Sequence, residues 1–157
     1  MFWTPKSFVN YGDLLEPRPF NSFFNSQNSV IENLMQDIRG RWSLVVFDQG
    51  GCSEECQSKL YWIRQLRLSQ GREKDRLERI WFVTDNFYPS PDIVKNFEGT
   101  RIINLHHHSL SFHPPDELVP EKNIFLIDTY GNLMMHYPES FEPDEVKKDL
   151  KKLLKIS

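Results

Sequence analysis

Alanine is missing from all 157 residues, so any helix must draw on Leu, Glu, Lys, Arg and Gln, whose intrinsic propensities are nearly as good. Cysteine occurs twice, which excludes a disulfide-rich scaffold. Charge of one sign is not in excess: 19 Lys and Arg stand against 22 Asp and Glu, a net charge of −3 that disfavours a phosphate-backbone binder. No apolar run approaches the length of about 18 residues that a membrane span needs. The opening MFWTPKSFVNYGD has neither the charged nor the apolar region of an export signal, and the chain as written reads as soluble, with an upstream signal or anchor left open. What is present is a large aromatic load, 12 Phe, 5 Tyr and 4 Trp, within 39% hydrophobic residues, enough to build a packed interior. The length fits one domain, 1–157, with an extended N-terminal segment over 1–29 and a core over 40–157.

Residues 1–29 are aromatic and Pro-bearing without helical period, and read as extended chain and turns laid over a core. In SVIENLMQDIRGRW, the apolar residues Val30, Ile31, Leu34, Met35 and Ile38 recur at helical spacing, and Gly40 supplies a stop. SLVVF (43–47) is a buried strand that ends at a turn through Gly50 and Gly51. A helix follows, with Ser53 as its cap, Glu54 and Glu55 in its first turn, and Cys56, Leu60 and Ile63 on one face. REKDRLE reads as a solvated charge run, RIWFVTD as a second buried strand, PDIVKNFEG as a short helix and TRIINL as a third strand. An irregular loop carries HHHSLSFHPP. IFLID and LMMHY, joined by TYGN, form a β-hairpin, and a helix opening at Pro143 buries Val146, Leu150, Leu153 and Leu154. Strands alternating with helices, then a hairpin and a last helix, predict an α/β fold of thioredoxin-like class: a central mixed sheet flanked by helices.

The chemistry centres on GCSEEC. Cys52 and Cys56 follow a buried strand and open a helix, where free N–H groups and the helix dipole stabilise a thiolate and lower its pKa from about 8.5. Cys52 is expected to be the more exposed and reactive thiol, with Cys56 one turn further in. Positions four apart on a helix have Cα atoms about 6 Å apart, inside the disulfide window of roughly 4.4 to 6.8 Å, so a reversible bridge is sterically allowed. Glu54 and Glu55 oppose the dipole, and two adjacent thiolates are soft ligands suited to Cu(I). A redox pair, a metal pair and a structural disulfide all remain open.

GRWSLVVFDQGGCSEEC, WFVTD and IFLIDTYGNLMMHYP together resemble the Sco/SenC group of thioredoxin-like proteins, which take part in assembling the copper site of cytochrome c oxidase; the resemblance covers about 40–138. It implies a copper chaperone or thiol–disulfide oxidoreductase acting through Cys52 and Cys56, a cytochrome oxidase subunit or another thiol protein as partner, and an extracytoplasmic, membrane-anchored setting. Copper-binding members of that group add a histidine shortly before the strand matching IFLID and often carry a proline after each cysteine. Here Ser53 and Gln57 follow the cysteines, and Val119 to Asn123 contains no histidine. His113 is the nearest candidate third ligand. His106, His107 and His108 are further histidines of the same loop; on extended chain His106 and His108 would share a face. Met134 and Met135 read as core, facing opposite sides of their strand, and His136 is expected to point away from the core. The five lysines of the last helix read as a solvated face open to an acidic partner or lipid headgroups. Another class of function competes: a binding or assembly module in which the Cys52–Cys56 bridge is only scaffold.

Overall fold

The computed structural model describes residues 10–25 and 28–156; the aromatic positions Phe2, Trp3 and Phe8 lie outside the described residues. Ten elements follow in order: β1 Asp13–Pro19, α1 Ser29–Ile38, β2 Trp42–Asp48, α2 Glu54–Leu68, β3 Leu77–Val83, α3 Pro91–Asn96, β4 Arg101–Asn104, β5 Asn123–Ile127, β6 Asn132–Pro138 and α4 Pro143–Ile156. They build one six-stranded sheet in the order β1-β6-β5-β2-β3-β4. β2, β3 and β4 are mutually parallel, whereas β5, β6 and β1 join antiparallel.

Periodicity of two divides the apolar residues between two layers. Trp42, Leu44 and Val46 of β2 face Leu60, Ile63 and Leu66 of α2 and Val146, Leu150 and Leu153 of α4. Val45 and Phe47 face the other way, toward α1 and the N-terminal aromatics Phe20, Phe23 and Phe24. That second layer is a stack of rings, with Phe47 and Phe112 centroids 4.4 Å apart and Phe47 and Phe82 centroids 5.1 Å apart.

Two features differ from the sequence reading. Part of the Pro-rich N-terminal segment is strand β1, which pairs with β6 at the sheet edge; an edge tolerates Pro17 and Pro19 because one side of the ladder needs no donors. Met134 and Met135 do not face opposite sides. Leu126 pairs with Met135 and Ile127 with Leu133, so Met134 is the extra residue of a bulge, and both methionines join the α2/α4 layer. The hairpin turn itself follows its residues: the Asp128 carboxylate accepts from the Tyr130 and Asn132 N–H groups, and Gly131 takes φ +86°.

A buried carboxylate ties the N-terminal strand to the last helix. Asp149 of α4 is 3% exposed and accepts from the Tyr11 and Gly12 N–H groups at 2.9 Å and from the Tyr137 hydroxyl at 3.0 Å. Gly12 is required by close approach: a Cβ there would lie 2.5 Å from Met135 Sδ and from Tyr137 Cε1. Burial, then the adjacent Asp149 charge, pushes the Tyr137 phenol well above its ordinary value of 10.0. The unfolded chain therefore ionises at lower pH than the folded one. The stability linked to Tyr137 is fully present below pH about 10 and is lost as pH rises from there toward the folded pKa. Urea unfolding at pH about 8 and about 11 should show a larger alkaline fall in midpoint for wild type than for Tyr137→Phe.

Candidate functional site

β2 is buried from Trp42 to Phe47 and delivers the half-buried Asp48 to its C-terminal end. There the chain reverses through Gln49, Gly50 and Gly51. The Gly50 N–H donates to Asp85 Oδ1 at 3.0 Å, and a Cβ on Gly50 would sit 2.0 Å from the Phe87 carbonyl oxygen, so only glycine lets the β3–α3 loop pass this close. Cys52 donates its N–H to the Gln49 carbonyl at 3.0 Å and takes φ +48°, a left-handed conformation that costs a non-glycine residue energy. Ser53 then caps α2, its hydroxyl accepting from the Cys56 N–H at 3.3 Å, and the Gln57 side chain donates to the Cys52 carbonyl at 3.1 Å.

Cys52 and Cys56 are joined in a disulfide, with Cα atoms 5.0 Å apart. No free thiol remains among the described residues. Cys52 is 3% exposed and Cys56 0%, the order expected from the sequence, but both are buried and belong to the α2/α4 apolar layer. The reason is local. Cys52 is not a helical residue but precedes the cap, and its left-handed backbone folds the side chain back toward Cys56 while the β3–α3 loop lies over the turn. The small remaining accessibility belongs to Cys52.

One helical turn beyond Cys56 lies a group that the sequence reading missed. Lys59 is 3% exposed and pairs with Asp48 Oδ2 at 2.7 Å, donating also to the Phe47 carbonyl at 3.2 Å and to the Glu121 carbonyl. Three elements thereby meet at one ammonium: the end of β2, α2 and the segment before β5. The signal was present in the register, because Lys59 stands three after Cys56 and four before Ile63, on the helix face that carries the core.

The histidines do not join the cysteines. His113 is exposed, and its N–H donates to the Phe23 carbonyl at 2.7 Å. Its neighbour Phe112 stacks on Phe47, in the layer across the sheet from the disulfide. His106, His107 and His108 sit exposed in a hydrogen-bonded turn rather than on extended chain, with His107 stacked on Tyr88 at 4.5 Å. His136 is half-buried rather than turned away: Nδ1 lies 2.9 Å from Asn123 Oδ1, and burial lowers its pKa. Among the described residues no three His, Cys, Asp or Glu side chains are grouped so as to hold a metal ion. The arrangement does not fit a thiolate–thiolate–imidazole copper site.

The sheet order and the bonded pair where β2 passes into α2 define a thioredoxin-like domain with a CxxxC disulfide. Residues 42–157 match the family described as transmembrane-like, thioredoxin-like, C-terminal domain, and the chain belongs to that family. No curated protein matches it. Among solved structures, Bradyrhizobium japonicum ScoI with copper bound is 17% identical at a TM-score of 0.56, over 76% of this chain and 88% of that one. A SCO1/SenC family lipoprotein of Bacillus anthracis is 17% identical at 0.55, over 76% and 84%. BsSco, a Sco-family cytochrome c oxidase assembly protein described with a disulfide switch, is 16% identical at 0.53, over 95% and 98%. At these identities the likeness is one of fold, and it agrees with the resemblance carried by the CxxxC and hairpin segments. No described helix is long and apolar enough to cross a membrane.

Removing one member of the buried ion pair leaves the other uncompensated. Lys59→Met should lower unfolding free energy by about 3 kcal/mol, and the double variant Lys59→Met/Asp48→Asn should recover much of that loss, measured by urea titration.

Proposed function

We propose that the domain exchanges its disulfide with partner thiols through Cys52 and Cys56. The observation that carries this reading is the bond between the two cysteines at the mouth of α2. In the oxidising direction a partner thiolate attacks Cys52 Sγ, the Sγ–Sγ bond breaks, and Cys56 leaves as a thiolate that takes up a proton. A second partner thiolate then attacks its own mixed-disulfide sulfur, releasing reduced Cys52 and an oxidised partner. In the reducing direction Cys52 attacks a partner disulfide and Cys56 resolves the mixed disulfide. Cys52 is taken as the entry residue because it is the cysteine of the pair that keeps some surface, 3% against 0% for Cys56. The N-terminal amides of α2 favour the thiolate that each step generates, while Glu54 and Glu55 oppose it.

A finer form of the proposal is delivery of Cu(I) to, or reduction of, the cysteines of a cytochrome oxidase subunit. It draws on the fold shared with the copper-bound ScoI structure and the softness of two thiolates toward Cu(I). This chain brings no imidazole to them, so thiol exchange is placed ahead of copper transfer. An oxidising, extracytoplasmic compartment and a membrane-anchored parent protein belong to the same proposal, supported by persistence of disulfides in such compartments and by the lipoprotein among the fold relatives.

A second reading has its own observation: cysteine residues 3% and 0% exposed suit a scaffold staple in a non-catalytic binding module. Redox titration separates the two. Exchange activity predicts a midpoint between about −120 and −270 mV, whereas a value below about −300 mV assigns the bond to scaffolding. Anaerobic Cu(I) titration of the reduced wild type, Cys52→Ser and His113→Ala checks the copper form: it requires stoichiometric binding that is lost in Cys52→Ser, and the geometry predicts no change in His113→Ala.

A further inference from the structure

The end of α2 that carries the disulfide also borders a groove. Glu54, Glu55, Ser58 and Trp62 follow one another at helical spacing along α2 and, with Glu139 and Phe141 of the β6–α4 connection, line a depression of about 260 Å³. Trp62 is half-buried, and its ring meets the buried Phe141 ring edge-on with centroids 6.3 Å apart, so part of the lining is aromatic. Lys59 also lines the groove, but its ammonium is already engaged by Asp48 Oδ2 at 2.7 Å. Glu54, Glu55 and Glu139 are exposed and form no ion pair among the described residues. The first two suit the N-terminus of α2, where the dipole favours negative charge. Glu139 lies outside any helix, so the dipole does not account for it. Its N–H donates to the Lys122 carbonyl at 2.9 Å, while the Lys122 side chain pairs with no acid among the described residues.

We propose that this groove receives an arginine or lysine side chain of the thiol partner, close in sequence to that partner's reacting cysteine; the proposal rests on disulfide exchange as the function of the domain. Three unpaired carboxylates select a cation, and the Trp62 indole adds a π face that attracts one and on which a guanidinium stacks. Position selects a side chain of the partner over a free ion, because Glu54 and Glu55 stand between Cys52 and Cys56 in the chain. A cysteine that reaches Cys52 therefore brings its own flanking residues over the groove. From Glu54 to Trp62 the helix rises about 12 Å, the reach of roughly three or four extended residues. The same cation offsets the Glu54 and Glu55 charge that opposes thiolate formation, so a basic partner is favoured in exchange rate as well as in binding.

Two measurements on the full chain test this. In the first, short cysteine-free Gly-Ser peptides carrying a single Arg, Lys, Gln or Glu are titrated into the oxidised protein. Binding is read from the Trp62 indole N–H resonance, assigned by its loss in Trp62→Phe. The Arg peptide should shift it, the Lys peptide less, and the Gln and Glu peptides not at all. Glu54→Gln/Glu139→Gln should weaken the Arg peptide by about fivefold or more. Glu16→Gln/Glu98→Gln makes the same change in net charge on exposed glutamates outside the groove, and should leave binding nearly unchanged. In the second, the same peptides with a cysteine added three residues from the variable position are mixed with the oxidised protein, and thiol release is followed. The Arg peptide should react several-fold faster than the Gln peptide, an advantage that Glu54→Gln/Glu139→Gln removes. Absence of a shift with the Arg peptide, equal loss in the two glutamine pairs, or displacement of the Arg peptide by Mg²⁺ at constant ionic strength would overturn the proposal. Exchange at one rate for all four peptides would overturn it while leaving the exchange reading intact. Selective binding with no exchange by any peptide would sink the exchange reading, and with it the assignment of the cation to a thiol partner. Circular dichroism of each variant confirms that a loss is not unfolding.

Discussion

The end of β2 is the place where the requirements of the core and the requirements of the site collide. A strand buried on both faces must release its chain into a helix within a few residues, and the released segment carries polar backbone that the interior cannot leave unpaired. The Lys59 ammonium resolves that conflict. It neutralises Asp48 and takes up the Phe47 and Glu121 carbonyls, drawing α2 and the approach to β5 onto the same point. With that point fixed, Gly50 can slide beneath the Phe87 carbonyl, and Cys52 is held in a left-handed conformation that brings it to Cys56. The disulfide geometry is thus a consequence of the core rather than of the five-residue motif alone.

What was legible in the residues follows the strength of periodic signals. β2, α2, the β5–β6 hairpin and α4 each combine a recurring apolar pattern with a recognisable cap or turn, and all four lie where their patterns place them. β1 was less legible because edge strands need only one paired side, and Pro17 and Pro19 disguise it as loop. The two methionines went astray because a bulge inserts a residue, something alternation alone does not reveal. Asp149 and Lys59 were missed for a shared reason: a charge on an apolar helix face becomes interpretable only with its partners known, and those partners are distant in sequence.

The resemblance to Sco proteins carried the fold because CxxxC and the hairpin are parts of the architecture. It did not carry a ligand set, because a third ligand depends on which side of the sheet one loop takes. Here the loop after β4 closes over the phenylalanine layer, with Phe112 as its anchor, and takes His113 with it. Hydrophobic burial of one ring therefore decides the position of a neighbouring imidazole, and with it which chemistry the cysteines can share.

A chain with two thiols has one intramolecular pairing available. Oxidative maturation of this domain therefore has no scrambled isomers to sort, and a disulfide isomerase has nothing to correct within a single molecule. Within residues 1–157 any wrong pairing must be intermolecular, with another copy or with a different thiol protein.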